Sequence, residues 1–243
     1  MTETHGEIDI YWREDSQTFK PKSVYFYVEG EYGFIPLLVS KGLEKKQPIV
    51  CEIMSKNMFV EFGNHIPSPL TPSWIVREIR KNEYTVAITH LPNGLDSDLF
   101  WRSLYPIMRG VLDFLKSHGC QTVCTISSMN HALAQDSELF HYDFTLKIPP
   151  KETLTLSQPA WAIPYLWSAM GQHATVLVVS QDEGQFIDET ALGLMTDYFI
   201  ALGFDLDTDK MNEIKATLNE MRDTLETPSS VSFFDDETGG EFL

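Results

Sequence analysis

Short runs of β-branched and aromatic residues alternate along the chain with longer segments whose apolar residues recur at helical spacing. The runs typical of strands buried on both faces are Val24–Glu29, Pro48–Met54, Tyr84–His90, Gln121–Ser127 and Ala174–Ser180. The segments with helical spacing are Phe34–Lys45, Asp98–Ser117, Trp161–Met170 and Glu189–Leu202. This alternation predicts an α/β fold in which helices pack on a mostly parallel, mixed sheet.

Two strand-sized pieces, Met58–Phe62 and Phe144–Ile148, do not follow the alternation. They predict a mixed or antiparallel addition near one edge of the sheet. The proline-rich residues 65–73 and residues 148–159 are predicted loops. Because no repeat and no linker divides the chain, residues 1–226 are predicted to form a single domain.

A C-terminal helix is predicted over residues 207–226. Its apolar seam consists of Leu206, Met211, Ile214, Leu218, Met221 and Leu225, with heptad spacing from Met211 onward. The spacing predicts that Ile214 and Leu218 are buried on one face. Either the seam packs on its own domain or it lies in a subunit interface, and two heptads are too few to decide.

The last segment, residues 227–243, contains four acidic residues and no Lys or Arg. Its composition predicts a flexible acidic tail. The tail nevertheless carries Phe233, Phe234, Phe242 and Leu243, and apolar residues in such a segment can anchor a partner protein. The alternatives are a partner-binding tail and an ordinary frayed terminus.

The charge balance bears on the kind of partner. The chain has 35 Asp and Glu against 18 Lys and Arg, which gives a formal net charge of −17. Binding to nucleic-acid phosphates or to an anionic membrane needs clustered basic residues, so both classes are disfavoured. No segment has the apolar length of a membrane span, and the N-terminal residues lack the pattern of a signal peptide. Together with three cysteines, these features favour a cytoplasmic protein.

Candidate chemistry follows from the rule that ligands of open α/β sheets bind at the carboxyl ends of the strands. The candidate crevice residues selected there are Gly30, Gly33, His90, Ser128, His131 and Asp182. The two glycines could expose backbone N–H groups to a phosphate or simply permit a tight turn. Glu29 and Glu31 in the same turn would repel a phosphate, and no nucleophile elbow or phosphate-loop motif is present.

No cofactor and no metal are predicted. Cys120 and Cys124 are the closest pair of cysteines, with His118 nearby. Four residues along a strand separate them by about 13 Å, which is too far for one zinc ion or a disulfide.

The order of segments resembles the proteasome assembly chaperone 2 family, in particular its archaeal and bacterial relatives. The matching pieces are V-E-G-E-Y-G-F, E-Y-T-V-A-I-T-H, H-G-C-Q-T-V-C-T-I-S-S-M, A-T-V-L-V-V-S and L-G-F-D-L-D-T-D-K-M. They extend over residues 24–226, and their order and spacing carry the resemblance. Pro36 stands where the family usually has a further glycine. The chain ends in Glu241-Phe242-Leu243, whereas some members end in a hydrophobic residue, Tyr and any residue.

The resemblance implies a three-layer α/β/α sandwich similar to nucleoside phosphorylases, without their catalytic residues. It also implies an oligomer that binds proteasome α-type subunits or a paralogue without ATP, and in some members the C-terminal tripeptide docks between α subunits. Phe242 keeps the ring of that tripeptide's tyrosine but lacks its hydroxyl group.

Three functional hypotheses follow. The first is a non-enzymatic protein-binding factor that acts as an oligomer, with Ile214, Leu218, Phe242 and Leu243 as partner-binding residues. The second is a small-molecule enzyme that uses a phosphorylase-like crevice. The third is a scaffolding oligomer without a link to the proteasome.

Overall fold

The structure is a computed structural model of the chain. It describes residues 2–13, 18–28, 34–45, 47–55, 73–88, 97–131, 136–144, 159–182 and 184–226. The strands and helices within these ranges are β1 (Thr2–His5), β2 (Ile8–Trp12), β3 (Ser23–Val28), α1 (Ile35–Glu44), β4 (Ile49–Ser55), β5 (Ser73–Arg80), β6 (Glu83–Ile88), α2 (Ser97–Ser117), β7 (Thr122–His131), β8 (Leu139–Asp143), α3 (Pro159–Ala169), β9 (His173–Asp182), α4 (Glu189–Ala201) and α5 (Thr208–Glu226).

The nine described strands form one sheet in the order β1-β2-β4-β5-β6-β3-β7-β9-β8. The segments β6, β3, β7 and β9 are parallel neighbours, whereas the remaining neighbours are antiparallel. The prediction of a mostly parallel sheet is therefore wrong, since five of the eight pairings are antiparallel.

The reason for this difference is specific. All five predicted strands, β4, β6, β3, β7 and β9, do run in one direction. Strand β5 runs in the opposite direction and lies between β4 and β6, and β2 also runs in the opposite direction and lies beside β4. The predicted edge addition is present as β8, which pairs antiparallel with β9 at residues 139–143 rather than 144–148. The predicted strand at residues 58–62 and the predicted tail at residues 227–243 lie outside the described residues.

Alternation along the strands produces two hydrophobic cores, one on each face of the sheet. On β3, Val24, Phe26 and Val28 belong to the core beneath α2 and α3. Tyr27 belongs to the core beneath α1, α4 and α5, and Tyr25 packs against that core. These three layers confirm the predicted α/β/α sandwich. None of the described helices has the length and hydropathy required to cross a bilayer.

Helix α5 docks on α1 through a close contact at Gly42. A Cβ atom at this position would lie 2.6 Å from the Sδ atom of Met211 and 3.1 Å from the Cδ2 atom of Leu206. The Gly42 carbonyl also accepts a hydrogen bond of 3.0 Å from the Asp207 N–H. Because residue 42 has no side chain, the start of α5 can pack closely against α1.

Candidate functional site

The predicted crevice residues lie at the carboxyl ends of neighbouring strands as far as the structure describes them. In the parallel register of β7 and β9, His131 is paired with Asp182 and Ser128 with Val179. Ser128 is buried, whereas Asp182 is exposed. Gly30, Gly33 and His90 lie outside the described residues. The register therefore brings together one predicted pair, His131 and Asp182.

The Asp182 carboxylate accepts hydrogen bonds from residues of the turn that follows β9. One oxygen accepts a hydrogen bond of 2.9 Å from the Gly184 N–H, and the other accepts one of 3.2 Å from Gln185 Nε2. These bonds shape the chain as it leaves the strand. The carboxylate thereby has a structural role at the rim of the sheet.

Asp188 was not among the predicted crevice residues, yet its carboxylate accepts hydrogen bonds from four groups at this rim. It is 3% exposed and caps α4 by accepting hydrogen bonds from the N–H groups of Thr190 and Ala191, at 2.9 and 3.0 Å. It also accepts bonds from the Ser137 hydroxyl at 2.7 Å and the Asp182 N–H at 3.0 Å. Asp188 therefore ties α4 to the end of β9 and to the segment before β8.

The ionisation of Asp188 follows from these contacts. Desolvation by burial raises its pKa, but the hydrogen bonds from the three N–H groups and the Ser137 hydroxyl outweigh this effect. The pKa of the Asp188 carboxyl therefore lies below its ordinary value, and the residue remains an anion at neutral pH.

The C-terminal part of α5 reaches the same rim. The guanidinium of Arg222 lies 5.2 Å from the ring centroid of Phe186, whose ring is 4.9 Å from that of Phe34. Phe34 precedes α1, and Phe186 follows β9, so both rings lie near the carboxyl ends of the strands. Since Met211 packs on the opposite end of α1, α5 runs antiparallel to α1 and ends at the rim.

Burial along α5 changes from one end to the other. Met211 is buried, Ile214 and Leu218 are half-buried, and Met221 is 57% exposed. The prediction that Ile214 and Leu218 are buried is therefore wrong in degree, because each side chain remains partly exposed to solvent. The helix packs on its own domain at its start and presents apolar surface near its end. We call Ile214, Leu218 and Met221 the α5 seam; Phe242 and Leu243 lie outside the described residues.

The three described cysteines are free thiols whose pKa values are raised by burial. Cys51 and Cys120 are buried, Cys124 is half-buried, and all three are free thiols. Desolvation raises the pKa of Cys120 to about 12 and of Cys124 to about 11, and it raises the pKa of Cys51 further. Within the described ranges, no group of three His, Cys, Asp or Glu residues could hold a metal ion.

Solved structures of other proteins have a fold similar to that of this chain. No protein-family model matches the sequence, and the search of curated proteins found no match. Pyrococcus furiosus PbaB, an archaeal proteasome activator, superposes with a TM-score of 0.62 at 14% identity, over 91% of this chain and 99% of PbaB. P. furiosus PbaA, an archaeal homolog of proteasome-assembly chaperone, gives 0.59 at 14% identity, over 90% and 93% of the two chains.

A proteasome-assembly chaperone homologue from Mycobacterium tuberculosis has a TM-score of 0.51 at 11% identity, over 84% of this chain and 96% of its own. At such identities the likeness establishes the fold. It confirms the fold that the sequence resemblance implied, the sandwich of the proteasome assembly chaperones.

Proposed function

We propose that the protein is a non-enzymatic, ATP-independent binding factor that acts as a homo-oligomer on proteasome α-type subunits or on a paralogue of them. The observation that carries this proposal is the fold match over nearly the whole of both chains to PbaB, an archaeal proteasome activator. The likeness to PbaA, a homolog of proteasome-assembly chaperone, supports the same role. Three free, buried or half-buried thiols fit a reducing cytoplasm.

The proposed contact surface is the α5 seam together with Phe242 and Leu243. Met221 is a large apolar side chain exposed at the rim, with Leu218 one turn before it. Contiguous apolar surface that is exposed to solvent is a common feature of protein-binding sites. Residues 227–243 follow α5 directly in the sequence, and we expect the two parts to engage one partner.

Binding to purified α-type proteasome subunits from the same source tests the proposal. Deletion of Glu241–Leu243 and the exchange Met221→Asp are each expected to weaken binding about tenfold, the equivalent of 1.4 kcal/mol. Biolayer interferometry measures the affinity, and circular dichroism checks the fold. The matched control is Ile200→Asp, because Ile200 is 52% exposed but lies near the end of α4, away from the rim.

Two results would count against this role. Failure of the unaltered protein to bind α-type subunits removes the proteasome partner. Equal weakening by Ile200→Asp and Met221→Asp shows that the α5 seam is not the contact surface.

The protein is also expected to show no phosphate-dependent cleavage of nucleosides and no ATP hydrolysis. Asp182 is an exposed acid at the rim, and the buried Asp188 beside it remains an anion, so a phosphate would be repelled there. Assays for released base and released phosphate measure both activities. Turnover that disappears in His131→Ala would support the crevice enzyme instead.

A further inference from the structure

The two edges of the sheet differ in chemistry. The edge strand β1 has the sequence Thr-Glu-Thr-His, whose polar side chains discourage pairing with another chain. The opposite edge strand, β8, has the sequence Leu-Phe-His-Tyr-Asp. Across the described part of the chain, no strand pairs with the outer side of β8.

The hydrogen bonds between β8 and β9 show which backbone groups face outward. The Ser180 N–H donates to the Glu138 carbonyl at 2.8 Å, and the Phe144 N–H donates to the Ala174 carbonyl at 2.8 Å. Because antiparallel pairs alternate, the backbone groups of Phe140 and Tyr142 face β9 and those of His141 point away. No described residue forms a hydrogen bond with the N–H or the carbonyl of His141.

We propose that β8 pairs with β8 of a second copy of this chain, antiparallel about a two-fold axis at His141. This inference specifies the oligomer named in the proposed function, and it does not depend on a proteasome partner. In this register the two His141 residues exchange two backbone hydrogen bonds. The pairing joins the two nine-stranded sheets into one.

This register sets the two aromatic residues of β8 opposite those of the second copy. Phe140 lies opposite the partner's Tyr142, and Leu139 lies opposite the partner's Asp143. An axis at His141 overlaps all five residues of β8, whereas an axis at Asp143 would set two carboxylates against each other. Aromatic pairs directly opposite each other stabilise antiparallel strands, and like charges destabilise them.

Aromatic side chains supply the contact area that a five-residue strand pairing lacks. The rings of Phe140 and Tyr142 have centroids 6.2 Å apart, and Tyr142 lies 5.7 Å from Trp161 of α3. All three side chains are half-buried, and Tyr165 on the same helix is 42% exposed. The non-hydrogen-bonded pairs bring Phe140 and the partner's Tyr142 to a Cβ separation of about 4.5–5.5 Å, which buries their remaining ring surface.

A cysteine pair tests the register. In His141→Cys the two Cα atoms would be about 5.5 Å apart, within the range of a disulfide. The matched control is Asp143→Cys, because both positions are exposed but the two residues 143 would be about 13 Å apart along the strands. Under mild oxidation, non-reducing electrophoresis of the full chain is expected to show at least about ten times more covalent dimer for His141→Cys, since pairing holds its thiols together at high effective concentration.

Equal amounts of covalent dimer in both variants, or none in His141→Cys, would overturn the proposal. The native thiols contribute little background, because burial raises the pKa of all three. The unaltered protein serves as the blank.

A second pair of variants tests the backbone contact without a cross-link. His141→Pro removes only an outward N–H, so the bonds between β8 and β9 remain, whereas His141→Ala keeps the donor. Sedimentation velocity is expected to show a dimer for the alanine variant and a monomer for the proline variant, with similar circular dichroism spectra. A folded proline variant that remains a dimer contradicts the proposal.

Discussion

Replacement of Glu44 by alanine is expected to lower the free energy of unfolding by about 3–5 kcal/mol, the usual consequence of breaking a buried ionic network. Glu44 is 3% exposed at the end of α1. Its carboxylate accepts hydrogen bonds from the Tyr27 hydroxyl at 2.7 Å and the Thr85 hydroxyl at 2.9 Å. Arg77 Nε and Lys41 Nζ lie 3.3 and 3.5 Å from its other oxygen.

This network joins α1 to β3, β5 and β6. Removing the carboxylate takes an acceptor from two hydroxyl groups inside the protein and leaves two cations without their shared anion. Glu44→Gln keeps an acceptor oxygen and is expected to lose less stability than Glu44→Ala. The difference between the two variants separates the hydrogen bonds from the charge.

Urea unfolding monitored by circular dichroism measures the effect. The matched control is Glu213→Ala, which removes an exposed partner of Lys210 at 2.9 Å. Exposed pairs of this kind contribute about 0–1 kcal/mol. If Glu44→Ala unfolds at the same urea concentration as Glu213→Ala, the network does not stabilise the fold.

Replacement of Asp188 by alanine is expected to destabilise the protein by about 2–4 kcal/mol. Loss of the N-cap contributes about 1 kcal/mol. The Ser137 hydroxyl and the Asp182 N–H also lose their acceptor, and the two losses together add about 1–3 kcal/mol because both residues are partly exposed to water. The matched control is Asp207→Ala, which removes a single capping bond of 2.9 Å to the Lys210 N–H at the start of α5.

Asp188 also predicts a dependence on pH. Since its pKa is lower in the folded than in the unfolded protein, its contribution is complete above the unfolded value of about 3.9. The contribution is lost as the pH falls through the folded pKa. Between pH 5 and pH 2, the unaltered protein is therefore expected to lose stability more steeply than Asp188→Asn. Parallel pH profiles for the two proteins would exclude Asp188 as the titrating group.

The sequence predicted the elements with strong periodicity. The five described helices begin and end within two residues of the predicted bounds, and the five predicted strands all appear. It did not predict β5, whose Arg77, Glu78 and Arg80 obscure the alternation of Trp74 and Val76. Strand β2 was not predicted either, although Ile8, Ile10 and Trp12 alternate there with Asp9 and Tyr11 as in a strand.

The site was predicted less completely, because its contacts join residues that are distant in sequence. The strand-end rule placed His131 and Asp182 side by side. Asp188 could have been recognised as an N-cap, since an acidic residue precedes a helical segment. Its bond to Ser137 could not, and neither could the meeting of Glu44 with Tyr27 and Thr85, because both require the fold.

The central position of β3 has a consequence for how the chain folds. Ser23 pairs with Glu83 on one side and with Thr122 on the other, and Trp12 of β2 pairs with Cys51. Strand β3 therefore has no partner until residues 83–88 have been synthesised, and its second partner follows only at residues 122–125. Such non-local pairing slows folding, because the entropy of closing long loops is lost before the contacts form. Nascent chains of this protein expose unpaired β-strand edges for longer than those of a fold whose sheet grows outward from the N-terminus.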